Sequence, residues 1–200
     1  MRKINNENEN FIDDFLLDIS EYVSPFFYSL GFSPNDITTL SLITGLLCIY
    51  FLYTKNIILF VVFFILSYFF DCLDGHYARK YNMVTKFGDY YDHIKDTLVH
   101  ILLYITIIYL YYNNLYIIPF FIILGIFVIL SGIHLTCQQV LYTGMDVKDD
   151  YLDQYIHIFE YFGITETMCY DMIKYTKFVG VGTLQLVIIL LIVFLDQTAN

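Results

Sequence analysis

Long apolar runs separated by short polar joints are the main feature of this sequence. Five of these runs are clear. Each approaches the ~20 residues that a helix needs to cross the hydrocarbon of a bilayer, some of them only with polar residues at their ends. The second helix is expected to continue beyond the bilayer through Arg79. The predicted spans are 37–53, 57–70, 97–112, 115–137 and 178–195.

The segment 151–173 is ambiguous. It is rich in aromatic and aliphatic residues, but it also carries the titratable residues Asp153, His157, Glu160, Glu166 and Asp171. Charged groups are costly at membrane depth, so hydropathy alone favours a helix at the membrane interface over a sixth span. The whole pattern predicts an all-α integral membrane protein built as a transmembrane helical bundle.

The first 32 residues have a different pattern. Residues 11–23 place apolar side chains at the spacing of an amphipathic helix. Acidic residues occupy its other face: Asp13, Asp14, Asp18 and Glu21. Helices on a membrane surface usually carry Lys or Arg there, so this juxtamembrane helix is expected to lie along the cytosolic side of the protein itself. Ser33 and Pro34 then predict the start of the next helix.

We therefore predict one domain over residues 1–200. A tail and the amphipathic helix form residues 1–32 of this domain, and the transmembrane bundle forms residues 33–200. No cleavable leader is expected, because the polar residues 1–10 precede the first apolar positions.

Composition and charge narrow the possible functions. The chain is 58% hydrophobic with a mean hydropathy of +0.61, too apolar for an ordinary soluble domain. Its net charge of −10 leaves no basic stripe to meet phosphates, which argues against nucleic acid as a partner. Lys55 alone lies on one side of the predicted bundle. The other side carries most of the basic residues: Arg2, Lys3, Arg79, Lys80, Lys86 and Lys95. Because cytosolic loops are enriched in Lys and Arg, the N-terminus and the acidic segment 71–96 are expected to face the cytosol.

Two acidic pairs carry the candidate chemistry. Asp71 and Asp74 are three residues apart at the cytosolic end of the second span, and Asp92 and Asp96 are four apart at the start of the third. Each pair lies on one helix face, and the linker is long enough to bring the two helices side by side. Carboxylate oxygens suit Mg²⁺, Mn²⁺ or Ca²⁺ rather than zinc, and four of them can hold the two ions of a phosphoryl displacement.

The residues around these pairs indicate a nucleotide. Gly75, Ala78 and Gly88 leave the helix faces bare beside the carboxylates, and the Arg79 guanidinium could hold a diphosphate. His76 is expected to be a solvated neighbour of the site. The structural alternative is an acidic cap on the cytosolic end of a bundle, which would need none of these small residues.

The string D-x2-D-G-x2-A-R-x8-G-x3-D-x3-D over residues 71–96 resembles the signature of the CDP-alcohol phosphotransferase (CDP-alcohol phosphatidyltransferase) family at every defined position. The start of the first span, with Asn35 and Thr38, is also similar to the family. The resemblance implies six membrane helices, in which 151–173 holds the fifth and 178–195 is the sixth. It further implies a preceding amphipathic helix, a homodimer, and transfer of a substituted phosphate from a CDP-linked donor to an alcohol with release of CMP.

The resemblance also implies roles for individual residues. Asp71, Asp74 and Asp92 would bind metal, two ions of Mg²⁺ or Mn²⁺. Asp96 would lie near the second ion and act as the base for the acceptor hydroxyl. The CDP site would be lined by Gly75, Ala78, Arg79 and Gly88, with Asn35 and Thr38 as weaker candidates.

The donor and acceptor depend on smaller signals. His93 directly after Asp92 resembles the Asp-His pair of choline and ethanolamine phosphotransferases, and makes His93 a candidate catalytic residue. This favours CDP-choline or CDP-ethanolamine with diacylglycerol as acceptor, although Ile94 and the short chain depart from those enzymes. The alternative is phosphatidyl transfer from CDP-diacylglycerol to a small polar alcohol such as inositol or glycerol phosphate. Relatives with phosphorylated acceptors tend to carry a basic residue where this chain has Thr97.

Two other classes of membrane protein also use acidic residues. Membrane prenyltransferases bind a prenyl diphosphate through metals, but they need more spans and lack the Gly-x-x-Ala-Arg element. A divalent-cation transporter would place its carboxylates in the middle of the membrane, whereas these lie at the predicted cytosolic edge.

Overall fold

The computed structural model describes residues 4–143, 161 and 163–199, which form helices and short connections and no strand. Five helical segments within these residues are long and apolar enough to cross a membrane. The expectation of an all-α integral membrane bundle is therefore confirmed. The helices are α1 (Phe11–Ser29), α2 (Pro34–Tyr53), α3 (Ile57–Lys80), α4 (Lys86–Tyr111), α5 (Ile117–Thr143), α6 (Glu166–Thr176) and α7 (Val181–Thr198).

The helices agree with the predicted spans but differ at their ends. α3 runs on to Lys80, as expected, and α4 begins at Lys86 rather than near residue 97, because the acidic segment is itself helical. The last candidate span is the segment Glu166–Thr198, which contains α6, a short 3-10 turn and α7. Of the ambiguous segment 151–173, residues 151–160 and 162 lie outside the described residues, so a sixth span stays a prediction.

Helix caps follow the local sequence. Ser33 accepts a hydrogen bond from the Asp36 amide, Asp36 accepts one from the Ser33 amide, and Pro34 occupies the first turn of α2. This reciprocal capping box satisfies amides that have no partner within the helix. Asn56 and Thr85 cap α3 and α4 in the simpler one-sided way. The two acidic helices therefore begin at fixed points in the sequence, which sets where their carboxylates lie.

One compact unit of the chain contains residues 16–120 and 189–200. Within it, α2, α3 and α4 approach closely at small residues. Ser41 and Ser67 exchange hydrogen bonds with each other's carbonyl, both at 2.9 Å. A Cβ added to Gly45 would lie 3.0 Å from the Ser67 hydroxyl and 3.1 Å from the Val99 side chain, so a larger residue would force these side chains to move by a few tenths of an ångström.

The other compact unit contains residues 2–15 and 121–188. The buried Asn10 side chain donates to the Lys177 carbonyl at 2.6 Å and to the Thr183 hydroxyl at 2.8 Å. Gln138 donates to Glu9 at 2.6 Å. These bonds satisfy buried polar groups and fix the N-terminal segment within this unit. The single domain over residues 1–200 stays a prediction.

Helix α1 is amphipathic, but its exposed face is mixed. Leu16 and Leu17 are buried, whereas Asp18 and Glu21 are exposed as the pattern predicts. Phe11, Phe15 and Tyr22 are exposed as well, although their spacing placed them on the apolar face, and Asp13 of the polar face is buried. The buried stripe of the helix is therefore narrow and partly polar.

Candidate functional site

The two acidic pairs meet where the second half of α3 faces the first half of α4. Ligand atoms of Asp71, Asp74 and Asp92 lie within 4.8 Å of one another, and so do those of Asp92, His93 and Asp96. Asp92 belongs to both groups. The geometry thus offers two adjacent three-ligand sets that share one carboxylate.

These residues fit a pair of hard divalent ions. All ligands except His93 are carboxylates, the type that Mg²⁺ and Mn²⁺ prefer, and a shared carboxylate is common to two-metal sites. The Asp92 Oδ1 atom is buried, and within the described residues it has an ion-pair contact with Lys95 at 3.0 Å but no well-directed hydrogen bond. Coordination of an ion would give this buried oxygen a directed partner.

A lysine lies inside the carboxylate cluster, which sequence reasoning missed. The Lys95 side chain is 2% exposed, and its ammonium contacts Asp71, lies 2.7 Å from Asp96 Oδ1 and 3.0 Å from Asp92 Oδ1. Its Nζ also lies 3.3 Å from the Ser41 hydroxyl. The sequence used Lys95 only as a marker of the cytosolic side. Its position three residues after Asp92, hence on the same helix face, was the signal that could have found it.

Thr38 contacts the cluster from α2. Its hydroxyl donates to Asp74 Oδ2 at 2.7 Å, and both residues are buried. This bond orients the Asp74 carboxylate and satisfies one of its oxygens. The sequence assigned Thr38 to the nucleotide site, whereas the structure places its hydroxyl on a candidate metal ligand.

The other residues assigned to the nucleotide lie beside the carboxylates in two small groups. A Cβ at Gly75 would lie 3.2 Å from the Arg79 guanidinium, so the bare backbone lets Arg79 fold back over it. A Cβ at Gly88 would lie 3.1 Å from Asn35 Oδ1, so the starts of α2 and α4 lie close together where Gly88 has no side chain. Ala78 is partly buried on α3, next to Arg79.

Two histidines lie near the cluster in different surroundings. His93 Nε2 is 3.4 Å from Asp89 Oδ1, and His93 also belongs to the second ligand set. His76 is not a solvated neighbour as expected. It is 3% exposed, and its Nε2 lies 2.7 Å from Glu21 Oε2 on α1. The expectation was wrong because α1 covers this face of α3.

Glu21 joins α1 to the end of α3. Besides His76, it binds Lys80, whose Nζ donates to Glu21 Oε1 at 2.6 Å and to the Glu21 carbonyl at 3.0 Å. The hydrogen bond from Lys80 lowers the pKa of the Glu21 carboxyl, partly offset by desolvation. Because Glu21 is more than half exposed, the pair adds little stability, but it joins α1 to α3 at His76 and Lys80.

Comparison with known proteins identifies related sequences. A sequence model described as CDP-alcohol phosphatidyltransferase matches residues 32–197. A Pyrococcus horikoshii protein named archaetidylinositol phosphate synthase is 39% identical over 70 residues, 35% of this chain and 37% of that protein. An uncharacterized protein of Aquifex aeolicus is 35% identical over 79 residues, 40% of either chain. The chain thus matches less than half the length of these curated relatives, and no solved structure matches it.

Proposed function

The chain belongs to the CDP-alcohol phosphatidyltransferase family, and we propose that it transfers a phosphatidyl-type group from a CDP-linked lipid to a small polar alcohol, releasing CMP. The observation that carries the proposal is the convergence of two acidic pairs from α3 and α4 into two adjacent ligand sets. Gly75 supports a bound nucleotide, since it lets the Arg79 guanidinium lie close to the helix backbone next to the carboxylates.

The comparisons favour this acceptor class over the amino-alcohol donors. The Pyrococcus relative is named for a product that contains inositol phosphate, which supports inositol, its phosphate or glycerol phosphate as the acceptor. The interpretation with CDP-choline or CDP-ethanolamine and diacylglycerol depends on His93 following Asp92. Because His93 here lies near Asp89 as well as in a ligand set, its position has an explanation without an amino alcohol.

Asp71, Asp74, Asp92 and Asp96 would hold two ions of Mg²⁺ or Mn²⁺. When bound, such ions neutralise a diphosphate and stabilise CMP as the leaving group. Asp96 is also the proposed base that takes the proton of the acceptor hydroxyl, because an alcohol is a poor nucleophile without one. His93 is a second candidate for that proton, since it shares the ligand set of Asp96.

The donor is proposed to lie over the bare faces of α3 and α4. Arg79 would bind the diphosphate through its planar fork, and Gly75, Ala78 and Gly88 would admit the nucleotide close to the backbone. Asn35, which lies against Gly88, would contribute its amide. Thr38 would act through Asp74 rather than on the nucleotide. The site is proposed to face the cytosol, and the chain to work as a homodimer.

The decisive assay offers purified protein different donors in detergent with Mg²⁺ or Mn²⁺. CDP-diacylglycerol is supplied with inositol, inositol phosphate or glycerol phosphate, and CDP-choline or CDP-ethanolamine is supplied with diacylglycerol. We expect CMP and a lipid product from a CDP-diacylglycerol arm. Product only from the amino-alcohol arms would restore the other donor class, and CMP from no arm would overturn the proposal.

Asp96→Asn separates the transferase from the other membrane classes. A transferase variant should lose turnover while it keeps most of its affinity for CDP. Release of pyrophosphate from a prenyl diphosphate would instead indicate a prenyltransferase. An altered flux of Mn²⁺ into vesicles, without CMP release by the unmodified protein, would indicate a transporter.

A further inference from the structure

The cluster of four carboxylates already contains a cation that the chain itself supplies. Lys95 Nζ lies at contact distance from carboxylate oxygens of Asp71, Asp92 and Asp96, and only Asp74 lacks such a contact. The lysine is almost completely buried, so its charge is directed at these oxygens rather than at water. Within the part of the chain that the structure describes, its other hydrogen-bond contact is the neutral Ser41 hydroxyl.

The ammonium and a metal ion compete for the same carboxylates. Both candidate ligand sets draw on carboxylates that Lys95 contacts, Asp71 and Asp92 in one and Asp92 and Asp96 in the other. A divalent ion needs several oxygens at about 2.0–2.6 Å. A like charge held among those oxygens would oppose the ion, with an energy much larger than in bulk water.

Lys95 can leave only by moving its own side chain. It stands between Asp92 and Asp96 on α4, so rotation of the helix would carry both carboxylates away with it. Its four-carbon chain can change rotamers without moving the backbone.

We propose that Lys95 is the resident counter-ion of the carboxylate cluster, and that divalent-ion binding requires its ammonium to leave. The inference builds on the metal site of the proposed function. Lys95 is thus a positioning residue that sets how tightly the site binds metal. It stabilises the folded protein without metal, because four clustered carboxylates repel one another, and it weakens the affinity for the ion that replaces it.

Binding of Mn²⁺ to purified protein tests the proposal without any turnover. Free Mn²⁺ is measured by electron paramagnetic resonance in the unmodified protein, Lys95→Met and Lys95→Arg. We expect Lys95→Met to bind Mn²⁺ about 10-fold more tightly or better, because one positive charge has left the cluster. Lys95→Arg keeps the charge and should not gain affinity. Lys174→Met, which removes the same charge from an exposed lysine paired with Asp171, is the matched control.

A second measurement uses the unmodified protein and does not depend on folding of the variants. An amine-reactive reagent followed by peptide mass spectrometry reports how accessible Lys95 is, and Lys174 is the internal standard. Labelling of Lys95 should rise when Mg²⁺ is added, because the ammonium then leaves the carboxylates.

Three results would overturn the inference, and they differ in what they say of the metal site. Equal Mn²⁺ affinity of Lys95→Met and the unmodified protein, or labelling that Mg²⁺ does not change, rejects the displacement of Lys95 but leaves a metal site in place. Failure of both proteins to bind Mn²⁺ rejects the displacement together with the proposed metal site.

Discussion

Replacement of Thr38 by valine removes one hydroxyl from the side of the carboxylate cluster and keeps the branched shape of the side chain. In the structure this hydroxyl donates to Asp74 Oδ2 at 2.7 Å and lies 3.1 Å from the Pro34 carbonyl. Both Thr38 and Asp74 are buried, so water cannot easily replace the lost donor. The variant therefore leaves Asp74 in place but removes the hydrogen bond that orients it.

The size of the effect follows from the charge of the acceptor. A hydrogen bond to a charged group is worth about 1.5–3 kcal/mol, and each 1.4 kcal/mol corresponds to about a tenfold change in an equilibrium constant. Loss of a residue that orients a metal ligand typically costs about 10–100-fold in metal affinity or activity. We expect Thr38→Val to lose Mn²⁺ affinity and CMP release within that range.

The assay compares Thr38→Val with Thr44→Val. Thr44 lies on the same helix and is also buried, but among the described residues its hydroxyl contacts only the carbonyls of Leu40 and Ser41. Both variants are measured for Mn²⁺ affinity, CMP release and thermal stability in detergent. Mn²⁺ affinity and turnover of Thr38→Val that equal those of the unmodified protein would refute the role of Thr38. A loss in the control as large as in Thr38→Val would show that packing of α2, rather than the hydroxyl, is responsible.

Two further predictions test neighbouring contacts. Gly88→Ala should raise the KM for the CDP donor, because its Cβ would lie 3.1 Å from Asn35 Oδ1. Gly125→Ala is the control and should leave the KM unchanged, because its Cβ would meet nothing within 4 Å. Equal KM values of the two variants would contradict the prediction. Glu21→Gln should lower the free energy of unfolding by at most about 1 kcal/mol above pH ~4.5, where the carboxylate is charged, and this loss is measured as a lower Tm. Because Lys80 lowers the pKa of Glu21, this difference from the unmodified protein should vanish as pH falls through that pKa, and a difference that persists in acid would contradict the ion pair.

The spacing of charged residues predicted much of the candidate site. Pairs three or four apart must share a helix face, so the approach of Asp71 and Asp74 to Asp92 followed once α3 and α4 were placed side by side. The sequence pattern could not predict which side chains would contact each other between helices. The bond of Thr38 to Asp74 depends on how α2 rotates against α3, and the burial of His76 depends on where α1 lies. Helical periodicity fixes neither the rotation nor the depth of packing.

The neutral face of α2 organises the charges on α3 and α4. Thr38, Ser41 and Gly45 lie on this face at helical spacing. Thr38 orients Asp74, and the Ser41 hydroxyl accepts a hydrogen bond from Lys95. Gly45 allows the close approach of Ser67 and Val99. These side chains carry no charge, so α2 can set distances and directions within the cluster but cannot neutralise it. Neutralisation must come from cations, first from Lys95 on the same helix as two of the carboxylates, and then, as we propose, from divalent ions that replace it.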